Sequence, residues 1–186
     1  MATTLKVQGG LYKNKKIPMV DSLKGHSNFT PALLKKAVFA KIESHVLSGK
    51  LSLQNAIFLD LFAGSGQMGL EAVSRGFRMA HLFEIDKNRM HSLLKNLAPL
   101  AKNIVLHHKD SMRYYDRIEK QEEDVLVYYI DPPYSFWEDS LKLFQWVNTI
   151  KEKNPKGMIY IQSSKEMTED IYKSKRFGNN YISELV

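Results

Sequence analysis

Asp131-Pro132-Pro133-Tyr134 follows the apolar run Val125-Leu126-Val127-Tyr128-Tyr129-Ile130. That run predicts a buried strand, and the four residues after it predict a rigid turn carrying a carboxylate and an aromatic ring. Proline has no N–H and fixes φ, so the carbonyls of such a turn point in set directions. An arrangement of this kind can grip a planar ring that bears an exocyclic amine. Asp131 and the Pro132 carbonyl would accept the amine's N–H bonds, Pro133 would stiffen the turn, and Tyr134 would cover the ring face.

A second chemical stretch lies upstream, Asp60-Leu61-Phe62-Ala63-Gly64-Ser65-Gly66-Gln67-Met68-Gly69. Gly64, Gly66 and Gly69 match G-x-G-x-x-G at a strand-to-helix turn, where glycine supplies positive φ and lets a ligand approach the backbone. Glu84 ends the next predicted strand twenty residues beyond Gly64, the place for a carboxylate that accepts both ribose hydroxyls. Asp110 or the Ser111 backbone, after the third strand, could read an adenine edge. Three polar sites at neighbouring strand ends define a nucleoside cleft. Asp60 decides which nucleoside. A negative charge just ahead of the turn would repel pyrophosphate, whereas it can pair with a cationic amino group. The methionine half of S-adenosylmethionine therefore fits better than a dinucleotide, and no hydride-transfer set is apparent.

Those sites must be held by ordered elements. The chain has 186 residues, 44% of them hydrophobic, enough for one soluble core. It has no cysteine, which rules out disulfides and thiolate chemistry. The histidines form no metal-ligand set with carboxylates, so no metal site is expected. No apolar run reaches membrane-spanning length and the N-terminus lacks a signal-peptide core, so a cytoplasmic location is expected.

Strands are expected at 56–61, 79–85, 103–107, 125–130 and 158–162. Helices are expected at 67–75, 87–98, 111–118 and 136–150. Apolar strands alternating with amphipathic helices imply a parallel α/β sheet covered on both faces. The tail, 171–177 and 181–186, reads as an antiparallel hairpin closing one sheet edge. Ahead of this domain (51–186), residues 1–50 form a basic extension: a hairpin over 5–20, then a helix with Thr30 as N-cap, Pro31 as first helical residue and Gly49 near its end. Those fifty residues hold nine lysines against two acids, while the rest of the chain is balanced, so the entire net charge of +7 lies there. A localised basic patch is the footprint of a polyanion, with Lys6, Lys13, Lys15, Lys16 and Lys35 as the expected RNA contacts.

The residues also carry a resemblance. Asp60-Leu61-Phe62-Ala63-Gly64-Ser65-Gly66, Gly69-Leu70-Glu71-Ala72 and Ser74-Arg75-Gly76 resemble RsmD-type small-subunit (16S) rRNA guanine-N2 methyltransferases. So do Gly9-Gly10-x-Tyr12-Lys13, Ala37-Val38-Phe39, Asn96-Leu97 and Asp131-Pro132-Pro133-Tyr134. The chain departs from that pattern at Ser27-Asn28-Phe29-Thr30-Pro31 and at Ala40.

The resemblance implies a Rossmann-like class I methyltransferase fold with a seven-stranded, mostly parallel sheet. It implies S-adenosylmethionine as cofactor, and small-subunit rRNA within a ribosome assembly particle as partner. It carries over Asp60, Gly64, Gly66, Glu84 and Asp110 as cofactor residues, with Phe62, Ala63, Ser65 and Ser111 beside them. Asp131, Pro132 and Tyr134 carry over as the base pocket. A monomer is expected. Two rivals remain at this stage: an adenine-N6 methyltransferase, and a ribosome-assembly RNA-binding protein without catalysis.

Overall fold

The computed structural model describes residues 4–18, 31–138, 140–168 and 171–185. In chain order the elements are β1 (Thr4–Lys6), β2 (Lys16–Pro18), α1 (Ala32–Leu47), β3 (Ala56–Asp60), α2 (Gln67–Ser74), β4 (Met79–Phe83), α3 (Lys87–Asn96), β5 (Ile104–His107), α4 (Ser111–Tyr114), β6 (Val125–Ile130), α5 (Ser140–Lys153), β7 (Met158–Ser163), β8 (Tyr172–Phe177) and β9 (Asn180–Leu185). β1 and β2 form a two-stranded ribbon. The other seven strands make one sheet in the order β5-β4-β3-β6-β7-β9-β8. β5 through β7 run parallel, and only β9 and β8 add antiparallel pairs. The expected terminal hairpin is therefore present, with its second strand inserted beside β7 and β8 outermost.

Every residue of β3 is buried, because helices cover both sheet faces. On one face Phe58 stacks near Phe39 of α1 at 5.8 Å and meets Phe77 edge-on at 5.4 Å. Leu34, Val38 and Ile42 of α1, with Leu70 and Val73 of α2, complete that layer. On the other face Leu59 and Tyr128 pack with Trp146, Val147 and Ile150 of α5. Tyr128 and Tyr129 are thus both core residues, on opposite faces.

Several boundaries differ from expectation. The helix over 111–118 is a single turn, Ser111–Tyr114, since Arg117 N–H folds back onto the Tyr114 carbonyl. The helix from 136 begins only at Ser140; before it the Pro132-Pro133 turn leads into a 3-10 turn, with Phe136 N–H on the Pro133 carbonyl. Pro31 occupies the N-cap position of α1, and its carbonyl accepts from Lys35 N–H. The expected cap Thr30, with Ser27-Asn28-Phe29, lies outside the described residues. At the other end Gly49 has φ of 71°. Its N–H bonds the Val46 carbonyl while Lys50 N–H bonds His45, a Schellman stop.

Candidate active site

The first strand-to-helix turn is built by conformation and packing together. Gly64 and Gly66 have φ of 52° and 71°, values that side-chain-bearing residues avoid. Gly66 does more than turn the chain: a Cβ there would lie 2.4 Å from a Leu97 methyl, and one on Gly69 2.4 Å from Leu82. These two glycines let α2 settle onto β4 and α3. Gly66 is not among the residues that line the cleft, and its closest approach is to Leu97 and Leu93.

Asp60, at the β3 tip, is 1% exposed and accepts the backbone N–H groups of Phe62 and Gly69. Its Oδ2 is buried without a hydrogen-bond partner. Burial first, and then the nearby charge of Asp131, push its carboxyl up to about 8. Next along the sheet, Glu84 accepts Gly64 N–H at 2.9 Å through Oε2 and Asp86 N–H at 2.8 Å through Oε1. Arg89 stands 3.9 Å away. Burial still lifts Glu84 above the usual carboxylate range. Those bonds fix the carboxylate against the glycine turn, so both oxygens keep set directions.

Asp110 uses Oδ1 to accept Met112 N–H at 3.0 Å and so caps α4, with Ser111 buried beside it. On the opposite side, Asp131 at the β6 tip is pushed up to about 7 by burial. Tyr134 is 66% exposed. Behind it Phe136 meets Phe62 edge-on at 5.3 Å, and Phe62 in turn meets Trp146.

One cleft of about 810 Å³ receives all of these parts. Asp60, Phe62, Ala63, Gly64, Ser65, Glu84, Asp110 and Ser111 line it together with Asp131, Pro132, Pro133 and Tyr134. β3 and β6 are hydrogen-bonded neighbours, which is why the glycine turn and the Asp-Pro-Pro-Tyr tip open onto the same space. A family model described as Conserved hypothetical protein 95 matches residues 5–184. The chain belongs to this RsmD-like methyltransferase family.

Over 169 residues it is 25% identical to Ribosomal RNA small subunit methyltransferase D of Haemophilus influenzae, across 87% of this chain and 80% of that one. Over 85 residues it is 40% identical to Uncharacterized methylase RP545 of Rickettsia prowazekii, across 44% of this chain and 34% of the relative. The match thus spans about a third of the Rickettsia protein's length. The fold superimposes on a putative methyltransferase, yhhF of Escherichia coli, with a TM-score of 0.68 over 98% of both chains at 24% identity. It is the class I methyltransferase fold.

That fold implies S-adenosylmethionine, and the residues present fit it. The unpartnered Oδ2 of Asp60 suits a cationic amino group, and the fixed Glu84 suits a diol. Ile85, which sequence reasoning missed, lines the cleft at 70% exposure, an apolar surface for a base. Its signal was available: an isoleucine directly after a strand-end carboxylate, inside a turn. Arg89 was missed too, and nothing local in the sequence marks it.

The expected RNA lysines in this family member divide. Lys6, Lys13, Lys15 and Lys16 are exposed. Lys35 corrects the expectation: it is 2% exposed, donates to the Lys6 carbonyl at 2.8 Å and pairs with Glu71 at 3.3 Å. An ammonium held inside by a carboxylate and a carbonyl is not available to a phosphate.

Proposed function

We propose that this protein is an S-adenosylmethionine-dependent methyltransferase that modifies the exocyclic N2 amine of a guanine in small-subunit rRNA, met within an assembling particle in the cytoplasm. The observation that carries this reading is the meeting of Asp131, the Pro132 turn and Tyr134 with Asp60 and Glu84 in one cleft. The relatives named as rRNA methyltransferases support the substrate class.

The bound cofactor supplies an electrophilic methyl group. The rest falls to this chain. Guanine N2 is a weak nucleophile because its lone pair is delocalised into the ring. Asp131 and the Pro132 carbonyl, accepting its N–H bonds, favour a geometry in which that lone pair is localised. Tyr134, exposed at the mouth, offers its ring to a base flipped from the RNA stack. Positioning of this kind is the main contribution asked of the site. Ionised, Asp131 accepts these bonds most strongly and can take the proton the amine releases.

Transfer of a radiolabelled methyl group to naked rRNA, partly assembled small subunits and free DNA, followed by digestion to nucleosides, tests the reading. The expected product is N2-methylguanosine in small-subunit RNA. N6-methyladenosine would convert the proposal to its adenine rival, and no transfer to any substrate would end it.

A further inference from the structure

Beyond the acceptor pocket the sheet continues through three more strands, and their register draws a line across its cleft-side edge. Ile130 of β6 pairs with Ile161 of β7 in parallel, so Pro132 lies level with Ser163. Ser163 pairs with Tyr181 of β9, and Tyr181 with Arg176 of β8. At about 4.8 Å per strand, Arg176 lies about 14 Å along from the Pro132 level. Alternation puts Ser163, Tyr181 and Arg176 on the sheet face that α5 covers lower down.

The row begins at buried Ser163 and turns aromatic and basic toward solvent at Tyr181 and Arg176. Ser163 Oγ donates to the Lys165 carbonyl, fixing the bend that leaves β7, and Lys165 is exposed. Tyr181 is half-buried, and Arg176 is exposed with its Nε donating to the Gly178 carbonyl at 2.9 Å. Residues 163–178 hold four cations (Lys165, Lys173, Lys175, Arg176) against three acids (Glu166, Glu169, Asp170), and all four cations are exposed. The edge position of β8 accounts for Lys173 and Lys175, since charge protects a free strand edge from pairing. It does not account for a cross-strand Tyr–Arg pair in line with the pocket.

We infer that this row is the track for single-stranded RNA leaving the target base on one side, with Tyr181 as a stacking surface and Lys165 and Arg176 on phosphates. Aromatic rings interleaved with cations along a groove are the means by which proteins hold unpaired strands. The inference rests on the proposed RNA methyltransferase reading and adds where the flanking strand lies.

The test uses the full chain and a fluorescein-labelled single-stranded RNA about 12 nucleotides long, followed by anisotropy over a salt series. Lys165→Glu/Arg176→Glu should weaken binding roughly tenfold and flatten the salt slope by about 1.5 to 2, with Lys165→Gln/Arg176→Gln intermediate. S-adenosylmethionine binding by calorimetry should be unchanged, which guards against misfolding. If wild type methylates RNA but both double variants keep its RNA affinity and salt slope, the track is wrong and the enzyme reading stands. If wild type neither binds nor methylates RNA, both fall. Variants that keep RNA affinity yet lose a ribosomal-protein contact in assembling particles would give the row to a protein and overturn the inference.

Discussion

Asp60 and Asp131 sit at neighbouring strand tips, and each raises the cost of ionising the cleft. Burial and mutual repulsion bring Asp60 to about 8, and burial brings Asp131 to about 7. A carboxyl whose folded pKa exceeds its unfolded one weakens the fold as pH rises, from the ordinary carboxylate range up through the raised value. A cationic ligand beside Asp60 relieves that cost only where the group is ionised. The gain in melting temperature on adding S-adenosylmethionine should therefore grow between about pH 6 and pH 8, and Asp60→Asn should flatten the growth. Thermal shift across that range is the measurement; a gain independent of pH in wild type would remove the cation from this site. Asp131→Ala should bind cofactor within a few-fold of wild type by calorimetry. Its turnover should fall by a factor on the order of 10² or more in single-turnover assays. In wild type the same rate should rise with pH through the Asp131 titration. Tyr134→Phe should keep most activity and Tyr134→Ala should lose it, because the ring rather than the hydroxyl is used.

At the scale of elements, the N-terminal ribbon and α2 behave as one locked unit. Glu71, fully buried in α2, accepts Gln8 N–H at 2.7 Å and Arg75 Nε–H at 2.8 Å and pairs with Lys35. Leu11 N–H caps the Ser74 carbonyl at 2.7 Å, and a Cβ on Gly10 would fall 1.7 Å from that oxygen at a φ of 73°. Val7 and Ile17 join the main core. Removing residues 1–20 would therefore open the core and take the Lys6 carbonyl from Lys35 and the Gln8 N–H from Glu71, which makes point substitutions the cleaner probe. Lys35→Met should cost about 2 kcal/mol in denaturant unfolding, since Glu71 keeps Arg75, while leaving the salt dependence of RNA binding unchanged. A flatter salt slope with unchanged stability would return Lys35 to the RNA. The sequence made the strands legible because Val125 to Ile130 and Ala56 to Leu59 are apolar runs bounded by turn residues. The cleft residues were legible because strand ends in such a sheet converge. Lys35 was not: a lysine on an amphipathic helix reads as solvent-facing, and only tertiary placement brings Glu71 beneath it. The packing of Gly66 was hidden for a related reason, as its neighbours Leu93 and Leu97 are distant in sequence.

For the whole molecule, the lysines of the ribbon turn and the cleft are set apart by the length of α2. α2 starts at the glycine turn and ends at Ser74, where the ribbon turn carrying Lys13 and Lys15 is fastened. Eight residues at about 1.5 Å each separate these ends by about 12 Å. A phosphate held by the ribbon turn therefore belongs to a part of the substrate well away from the methylated base. The ribbon should read the bulk of a folded RNA or particle, and the sheet edge the strand next to the target. Lys13→Gln/Lys15→Gln/Lys16→Gln should thus lower the salt slope by about 2 on long small-subunit rRNA and leave kcat unchanged. The same variant should bind a single-stranded oligonucleotide about 12 nucleotides long almost as wild type does, because the proposed track carries that strand along the β7-β9-β8 edge and not along α2 to the ribbon. Filter binding of both RNAs across salt concentrations separates the two surfaces. An equal loss on long and short RNA would mean that the lysines act through diffuse attraction toward the cleft rather than by holding a distant segment.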